Sequence, residues 1–287
     1  MKPLQHLTIV DLSQALAGPF ASMILAELGA TVIKVEPPGA GDETRAAEPR
    51  LASGSAQFFA CNRSKASITV DLRADGGRRI IRELAQQADV LVENFPVGTL
   101  ARQGLDYAAL SSIHPRLVYV SCTGFGQSGP YAQKQGDGPA QPGLPAADLT
   151  SGLWVAIAIL AALSGREKTG RGSYVDFSML DGQVSLLGLA AARYFALGAA
   201  DVPAGPMKDV AEVLADPHVR GRKLVGSFDY PGVGEFKALA LPYKFLGWDD
   251  PRIGPPPALG AHTETILKER LGYTDERIAE LRLAKAI

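Results

Sequence analysis

A doubly wound α/β fold on a parallel sheet is what this sequence predicts, and two observations carry the prediction. Short apolar runs with strand character alternate with helix-like runs through brief connections, the signature of parallel strand–helix–strand units. A second set of apolar helices, beginning near Ala146, is available to cover such a sheet. The composition agrees with a folded globular chain: 287 residues, 46% apolar and 21% charged, enough for a sizeable core in one or two domains.

In chain order, Leu7 to Leu12 reads as a buried strand. Gly18-Pro19 opens a helix, with proline in the first turn, where its missing N–H costs nothing. Gly29 closes that helix, and Thr31 to Glu36 forms the next strand. A loop, PPGAGDETR, follows. Ser67 to Leu72 reads as a strand, Gly76 to Gln87 as an amphipathic helix, and Asp89 to Val92 as another strand. Leu117 to Cys122 is a further strand, ending in the glycine-rich turn TGFGQSGP. In such a fold, sites form at the carboxyl ends of the strands.

The organising stretch is Ala146 to Gly182. Asp148 stands just before a helix signal, with Thr150 and Ser151 as capping types and an almost wholly apolar run from Leu153 to Leu163. Apolar residues on every face predict a helix buried on all sides. The run falls short of the ~20 residues that cross a bilayer. It is expected to end at Ser164-Gly165, followed by a charged turn, a strand YVDFS and a second apolar helix from Met179 to Leu197. An aspartate at a helix start has a plain reading as an N-cap. It has a sharper one as a carboxylate nucleophile kept ionised by the helix dipole.

Several function classes are excluded or disfavoured. A net charge of −1 gives no reason to expect nucleic acid or an anionic membrane as a partner. Cys61 and Cys122 are far apart and lack metal-ligand spacing, so both read as buried thiols in a reducing, cytoplasmic compartment. The histidines are isolated, and no metal site is expected. The first turn, SQALAGPFA, has one glycine where a dinucleotide fingerprint needs three. Basic and amide residues cluster where strands end: Arg45, Arg63, Lys65, Asn94, Arg102 and Lys134. Singly each reads as a solvated side chain; together they predict a cationic mouth for a phosphorylated ligand.

These motifs resemble one family, the class III CoA-transferases, which also embraces α-methylacyl-CoA racemases. The matching residues include DLSQALAGPFASMILAELGATVIKVEPPGAGDETR, NRSKASITVDL, ADVLVENFPVGTLARQGLDY, VSCTGFGQSGPY, ADLTSGLWVAIAILAAL and REKTGRGSYVDFSMLDG, followed late in the chain by DVPAGPMKDVAEVLADPHV and PPPALGAHTE. The resemblance covers nearly the whole chain. It implies a Rossmann-like large domain, 1–197, that binds CoA. It also implies two interlocked subunits. The family's second domain is much shortened here, and LADPHVRGRKL with the proline-rich run PPPALG reads as a C-terminal wrapping arm, so that 198–287 holds the remnant of that domain and the arm. Asp148 is implied as the nucleophile, and Lys65, Asn94, Arg102 and Lys134 as CoA contacts. In the family mechanism the aspartate attacks an acyl-CoA thioester to give a mixed anhydride and CoA thiolate. The thiolate returns to form an aspartyl-CoA thioester, and an acceptor acid then takes over the CoA. The implied substrates are an acyl-CoA and a small carboxylic acid, with no permanently bound cofactor.

Departures from the pattern matter. Leu16 and Pro37 stand where formyl-CoA transferases carry glutamine and arginine, which argues against that member. The chain jumps from Gly136 to Asp137-Gly138, and from Ala199-Ala200 to Asp201-Val202-Pro203, where the family carries longer segments; both junctions read as excisions. Racemisation of a 2-methylacyl-CoA is the alternative enzyme reading, disfavoured by Leu149-Thr150-Ser151-Gly152 after the aspartate. A non-catalytic CoA-binding scaffold is the third reading, because one of the excised segments would supply a loop over the site.

Overall fold

The computed structural model describes residues 2–128, 130, 132–133, 145–186, 225–239 and 254–287. Its strands are β1 (Thr8–Asp11), β2 (Thr31–Glu36), β3 (Ala66–Thr69), β4 (Val90–Glu93), β5 (Val118–Thr123) and β6 (Tyr174–Ser178). They form one sheet in the order β3-β2-β1-β4-β5-β6. Every pairing is parallel. The strand order reverses between β1 and β4, which opens a crevice at their carboxyl ends.

Both faces of the sheet are covered, so neighbouring strand residues are buried on opposite sides: Ile9 on one face, Val10 on the other. Helices α1 (Ala17–Glu27) and α5 (Ala146–Thr169) cover the first face, where Leu25, Val92, Val120 and Ile159 meet. Helices α3 (Asp75–Gln87) and α4 (Tyr107–Ile113) cover the second, around Ile80, Leu84, Leu91 and Leu110. Each such fully buried aliphatic side chain contributes roughly 1.5–3 kcal/mol.

The central stretch differs from expectation in two ways. Helix α5 does not stop at Gly165; it runs 24 residues to Thr169 and is capped by Gly170 in the left-handed conformation (φ 70°). By length and composition it is therefore long and apolar enough to cross a bilayer. It is also not buried on all sides among the described residues. Val155, Ile159 and Leu163 face the core, while Leu153 and Ile157 are 48% and 56% exposed. Apolar content on all faces predicted full burial, but only one face meets α1 and the sheet. Close approach to α1 is possible because position 152 is glycine: a Cβ there would lie 2.9 Å from the Ala17 carbonyl oxygen. Helix α6 (Met179–Leu186) starts where expected; its predicted continuation to Leu197 lies outside the described residues.

The C-terminal segment packs back on the sheet. Helices α7 (Thr263–Glu269) and α8 (Asp275–Leu283) pack Ile266, Leu267, Ile278 and Leu281 into the same core as α3. The arm also pairs with β3: the Ser67 N–H donates to His262 Nδ1 at 3.1 Å, and the His262 N–H to the Ser67 carbonyl at 2.9 Å. The Thr69 N–H donates to Thr263 Oγ1 at 3.0 Å. An antiparallel hairpin, β7 (Val225–Tyr230) and β8 (Gly234–Leu239), packs on α2 (Ala56–Asn62), where Phe59 meets Tyr230 at 4.5 Å between ring centroids.

Candidate active site

At the crevice, the connection from β1 to α1 is held by side chains from four other segments. Asp11, the last residue of β1, accepts from the Ser13 N–H at 3.0 Å, Ser22 Oγ at 2.6 Å and Lys65 Nζ at 3.0 Å. Lys34 Nζ, from β2, donates to Asp42 Oδ2 at 2.7 Å and to the Ser13 carbonyl. Asn94, just past β4, accepts from the Gln14 N–H at 2.9 Å and donates to the Gln14 carbonyl at 2.8 Å. Within this loop Ala15 sits at φ 64°, a conformation that costs an L-residue about 1–3 kcal/mol and persists only where the surroundings impose it.

The network is buried and charge-balanced. Three carboxylates, Asp11, Glu36 and Asp42, face Lys34, Lys65 and Arg45. Burial opposes ionisation of Asp11, but Lys65, Lys34 and two serine hydroxyls outweigh it and hold its carboxyl well below the usual range. Burial, helped by repulsion from Lys34, pulls Lys65 down to about 8 against the attraction of Asp11.

The residues implied as CoA contacts are placed differently from one another. Lys65 is fully buried, and its ammonium donates to Asp11, the Pro19 carbonyl (2.9 Å) and Asn62 Oδ1 (2.9 Å). An ammonium has three N–H donors, so none remains for a phosphate in this arrangement. The amide of Asn94 is engaged with Gln14. Arg102 is exposed and touches Thr99 Oγ1 at 3.3 Å. Lys134 lies outside the described residues. The predicted cationic mouth is largely neutralised from within: Arg45 makes a bidentate pair with Glu36 at 2.6 and 2.7 Å, and Arg63 is paired with Glu27.

Asp148 is not the N-cap. Pro145 takes that place, and Asp148 is the third helical residue, in the first turn of α5 and half-buried. Burial raises its pKa, and its own backbone N–H works against that rise. The helix terminus therefore does not hold the group in its most acidic form; desolvation prevails. Asp148 and Gly152 are one turn apart, on the face of α5 that meets the start of α1. Burial above all, with the negative charges of Glu93 and then Asp148, pushes the Cys122 thiol up to about 12. Cys122 in turn lines a cavity of about 440 Å³ with Asn94, Phe95, Thr123, Phe125 and Met179. The cavity sits at the carboxyl ends of β4 and β5, as the fold predicts.

Sequence reasoning missed several residues here. Gln183 of α6 donates to Thr150 Oγ1 at 2.8 Å and braces the turn that carries Asp148. Asp11, Lys34 and Asp42 were read only as parts of a strand and a loop. Single charges inside apolar strands, Asp11 in β1 and Lys34 in β2, are the available signal, since each buried charge needs a partner from elsewhere, here Lys65 and Asp42.

Comparison with known proteins bears on the same residues. The sequence model described as CoA-transferase family III matches residues 4–138, 133–200 and 190–263. The human succinyl-CoA:glutarate CoA-transferase is 31% identical over 395 aligned positions, which cover 100% of this chain and 90% of that protein. An alignment that long against 287 residues means that the relative carries internal segments without a counterpart here. The acetyl-CoA:oxalate CoA-transferase of Acetobacter aceti is 39% identical over 223 residues, 71% of this chain and 57% of that one. Among solved structures, a CaiB/BaiF family protein from Brucella suis superposes with a TM-score of 0.84 at 30% identity, covering 93% of this chain and 99% of the other.

Proposed function

This chain belongs to CoA-transferase family III, and from that premise we propose that Asp148 is the nucleophile that carries CoA from an acyl-CoA donor to a small carboxylic acid. The observation that supports this reading is the position of Asp148: a half-buried carboxylate in the first turn of α5, one helical turn before Gly152, which packs on the start of α1. The carboxylate attacks the thioester carbonyl, the C–S bond breaks and CoA leaves as thiolate. The thiolate then attacks the aspartyl carbonyl of the anhydride and frees the donor acid. The acceptor carboxylate repeats the sequence in reverse, and Asp148 is regenerated. Each step exchanges one activated acyl group for another, so no external energy source enters. Relatives named for succinyl-CoA, glutarate and oxalate favour a short dicarboxylic acid as acceptor.

Partial desolvation makes a carboxylate more reactive once ionised, because less hydration has to be shed. It also raises the pH at which ionisation occurs. The acid limb of the kcat/KM profile is therefore expected above the ordinary aspartate range. Asp148→Asn should abolish transfer while CoA affinity and fold survive. Hydroxylamine added during turnover should convert the activated aspartate to its hydroxamate, seen by peptide mapping. An active Asp148→Asn variant, together with a parent protein that never yields the adduct, would remove Asp148 from the mechanism.

The same reading takes coenzyme A thioesters as substrates with no permanently bound cofactor, and Arg102 as a solvent-side contact for CoA phosphates. It divides the chain near residue 197 and sets it in the cytoplasm, away from membranes and nucleic acid, as an interlocked homodimer. The exposed apolar side chains of α5 supply the homodimer reading with a surface, and a second copy of this chain is its proposed occupant.

A further inference from the structure

The geometry points to a positioning role for Asn94 and Lys34: they lock the β1–α1 loop, residues 13–16, which leads into the turn of α1 that packs on α5 one helical turn from Asp148. This inference rests on the proposed chemistry at Asp148 and deepens it. Asn94 spends its carbonyl and its amide on the two backbone groups of one residue, Gln14, at 2.9 and 2.8 Å. In doing so it bridges the ends of β4 and β1 across the point where the strand order reverses. Lys34 holds the preceding carbonyl, that of Ser13, and its partner Asp42 accepts from the Ala15 N–H at 3.4 Å. Three consecutive residues are thus tied to side chains outside the loop, and that clamp includes the left-handed Ala15.

A buried ion pair is a poor way to gain stability, since apolar replacements are often as good or better. What Lys34 and Asp42 supply is placement. The loop they fix leads directly into the first turn of α1. That turn packs against Gly152, one turn along α5 from Asp148. A loose loop would leave the start of α1, and the wall of the reaction site with it, in several positions. Chemistry that depends on near-attack geometry loses rate under such displacement more than it loses ground-state affinity. Asn94 and Lys34 touch no reacting atom in this account and act through the loop.

The test separates positioning from direct contact. Asn94→Ala should lower kcat at least tenfold while the Kd for CoA, measured by calorimetry, changes less than twofold. Asn94→Asp keeps the acceptor for the Gln14 N–H but loses the donor, so its kcat should fall between those of the parent and the alanine variant. A direct phosphate contact makes the opposite prediction: the added negative charge would weaken CoA binding tenfold or more, in a salt-dependent way. Hydrogen exchange at the Gln14 amide should accelerate at least tenfold in Asn94→Ala while the β1 amides stay protected. Lys34→Met should show the same kcat loss and faster exchange at Ala15. That variant leaves Asp42 buried without its partner and is the less certain to fold, so the Asn94 pair carries the test. Raised Kd with unchanged kcat, or unchanged exchange at Gln14, overturns the proposal. A parent protein that transfers CoA to no acid and forms no hydroxamate instead overturns the Asp148 chemistry, and the exchange measurement then still decides whether the loop is clamped.

Discussion

Glu93 is a buried carboxylate at the end of β4 with no cation beside it among the described residues. It accepts from Ser121 Oγ and from the Phe95 N–H, and burial raises its pKa despite those two bonds. The sign of its effect on stability follows. The folded state holds the proton to higher pH than the unfolded state, so stability is lost as pH rises from the ordinary glutamate value through the raised one. Glu93→Gln removes the charge and keeps hydrogen-bonding capacity. Its melting temperature should match the parent near pH 4 and exceed it at pH 7.5. A variant that melts lower than the parent at pH 7.5 would show that the ionised form is stabilising after all. At this scale the sequence was partly legible. Lys65 and Asn94 stood out by residue type and place, but their partners did not. Asp11 lies 54 residues from Lys65 and Gln14 lies 80 from Asn94, and no local pattern links positions that only the sheet brings together.

Helix α5 contains two interior glycines, and the structure gives them opposite meanings. At Gly152 a Cβ would sit 2.8 Å from a Phe20 ring atom and 2.9 Å from the Ala17 carbonyl oxygen; at Gly165 nothing lies within 4 Å. Gly152→Ala should therefore push α5 off α1, costing about 1–3 kcal/mol by overpacking, and should slow transfer by moving Asp148. Gly165→Ala should stabilise the exposed stretch of helix by roughly 0.5–1 kcal/mol. Urea unfolding of both variants checks the pair, and similar effects at the two sites would contradict the helix contact. From sequence alone Gly165 read as a helix end, since Ser-Gly is a common stop. The real stop is Gly170, whose left-handed conformation caps the last turn. The strands of the parallel sheet were legible to within a residue or so, except that the run read as Ser67 to Leu72 ends at Thr69, because both faces are covered, which leaves near-continuous apolar runs. The hairpin β7–β8 was not expected. The buried sides of α5 were not legible, because its outward apolar residues look the same as its inward ones.

For the whole molecule, the parallel sheet was readable from the alternation of strand-like and helix-like runs. The stretch that joins α6 to the hairpin lies outside the described residues. The outward stripe on α5, Leu153, Ile157 and Leu160, repeats at i, i+4 and i+7 and so lies on one line along the helix. If it meets a second subunit, Ile157→Lys should shift the sedimenting species from dimer toward monomer at micromolar concentration and leave helix content unchanged. A parent protein that sediments as a monomer would remove the second copy as occupant of that face.

The arm has a further consequence, for solubility. Strand β3 is the outermost on its side of the sheet, and such a strand offers a row of unpaired amides to any extended chain that drifts past. Here His262 and Thr263 occupy that row, taking the Ser67 and Thr69 N–H groups and supplying a donor to the Ser67 carbonyl. The bond from the Asp71 N–H to the Ala286 carbonyl at 2.9 Å closes the far end. The C-terminal segment thus serves as a dummy neighbour. Clipping it after Gly254 would leave Asp148 untouched yet expose a template for strand addition, and such a protein should be lost first to aggregation.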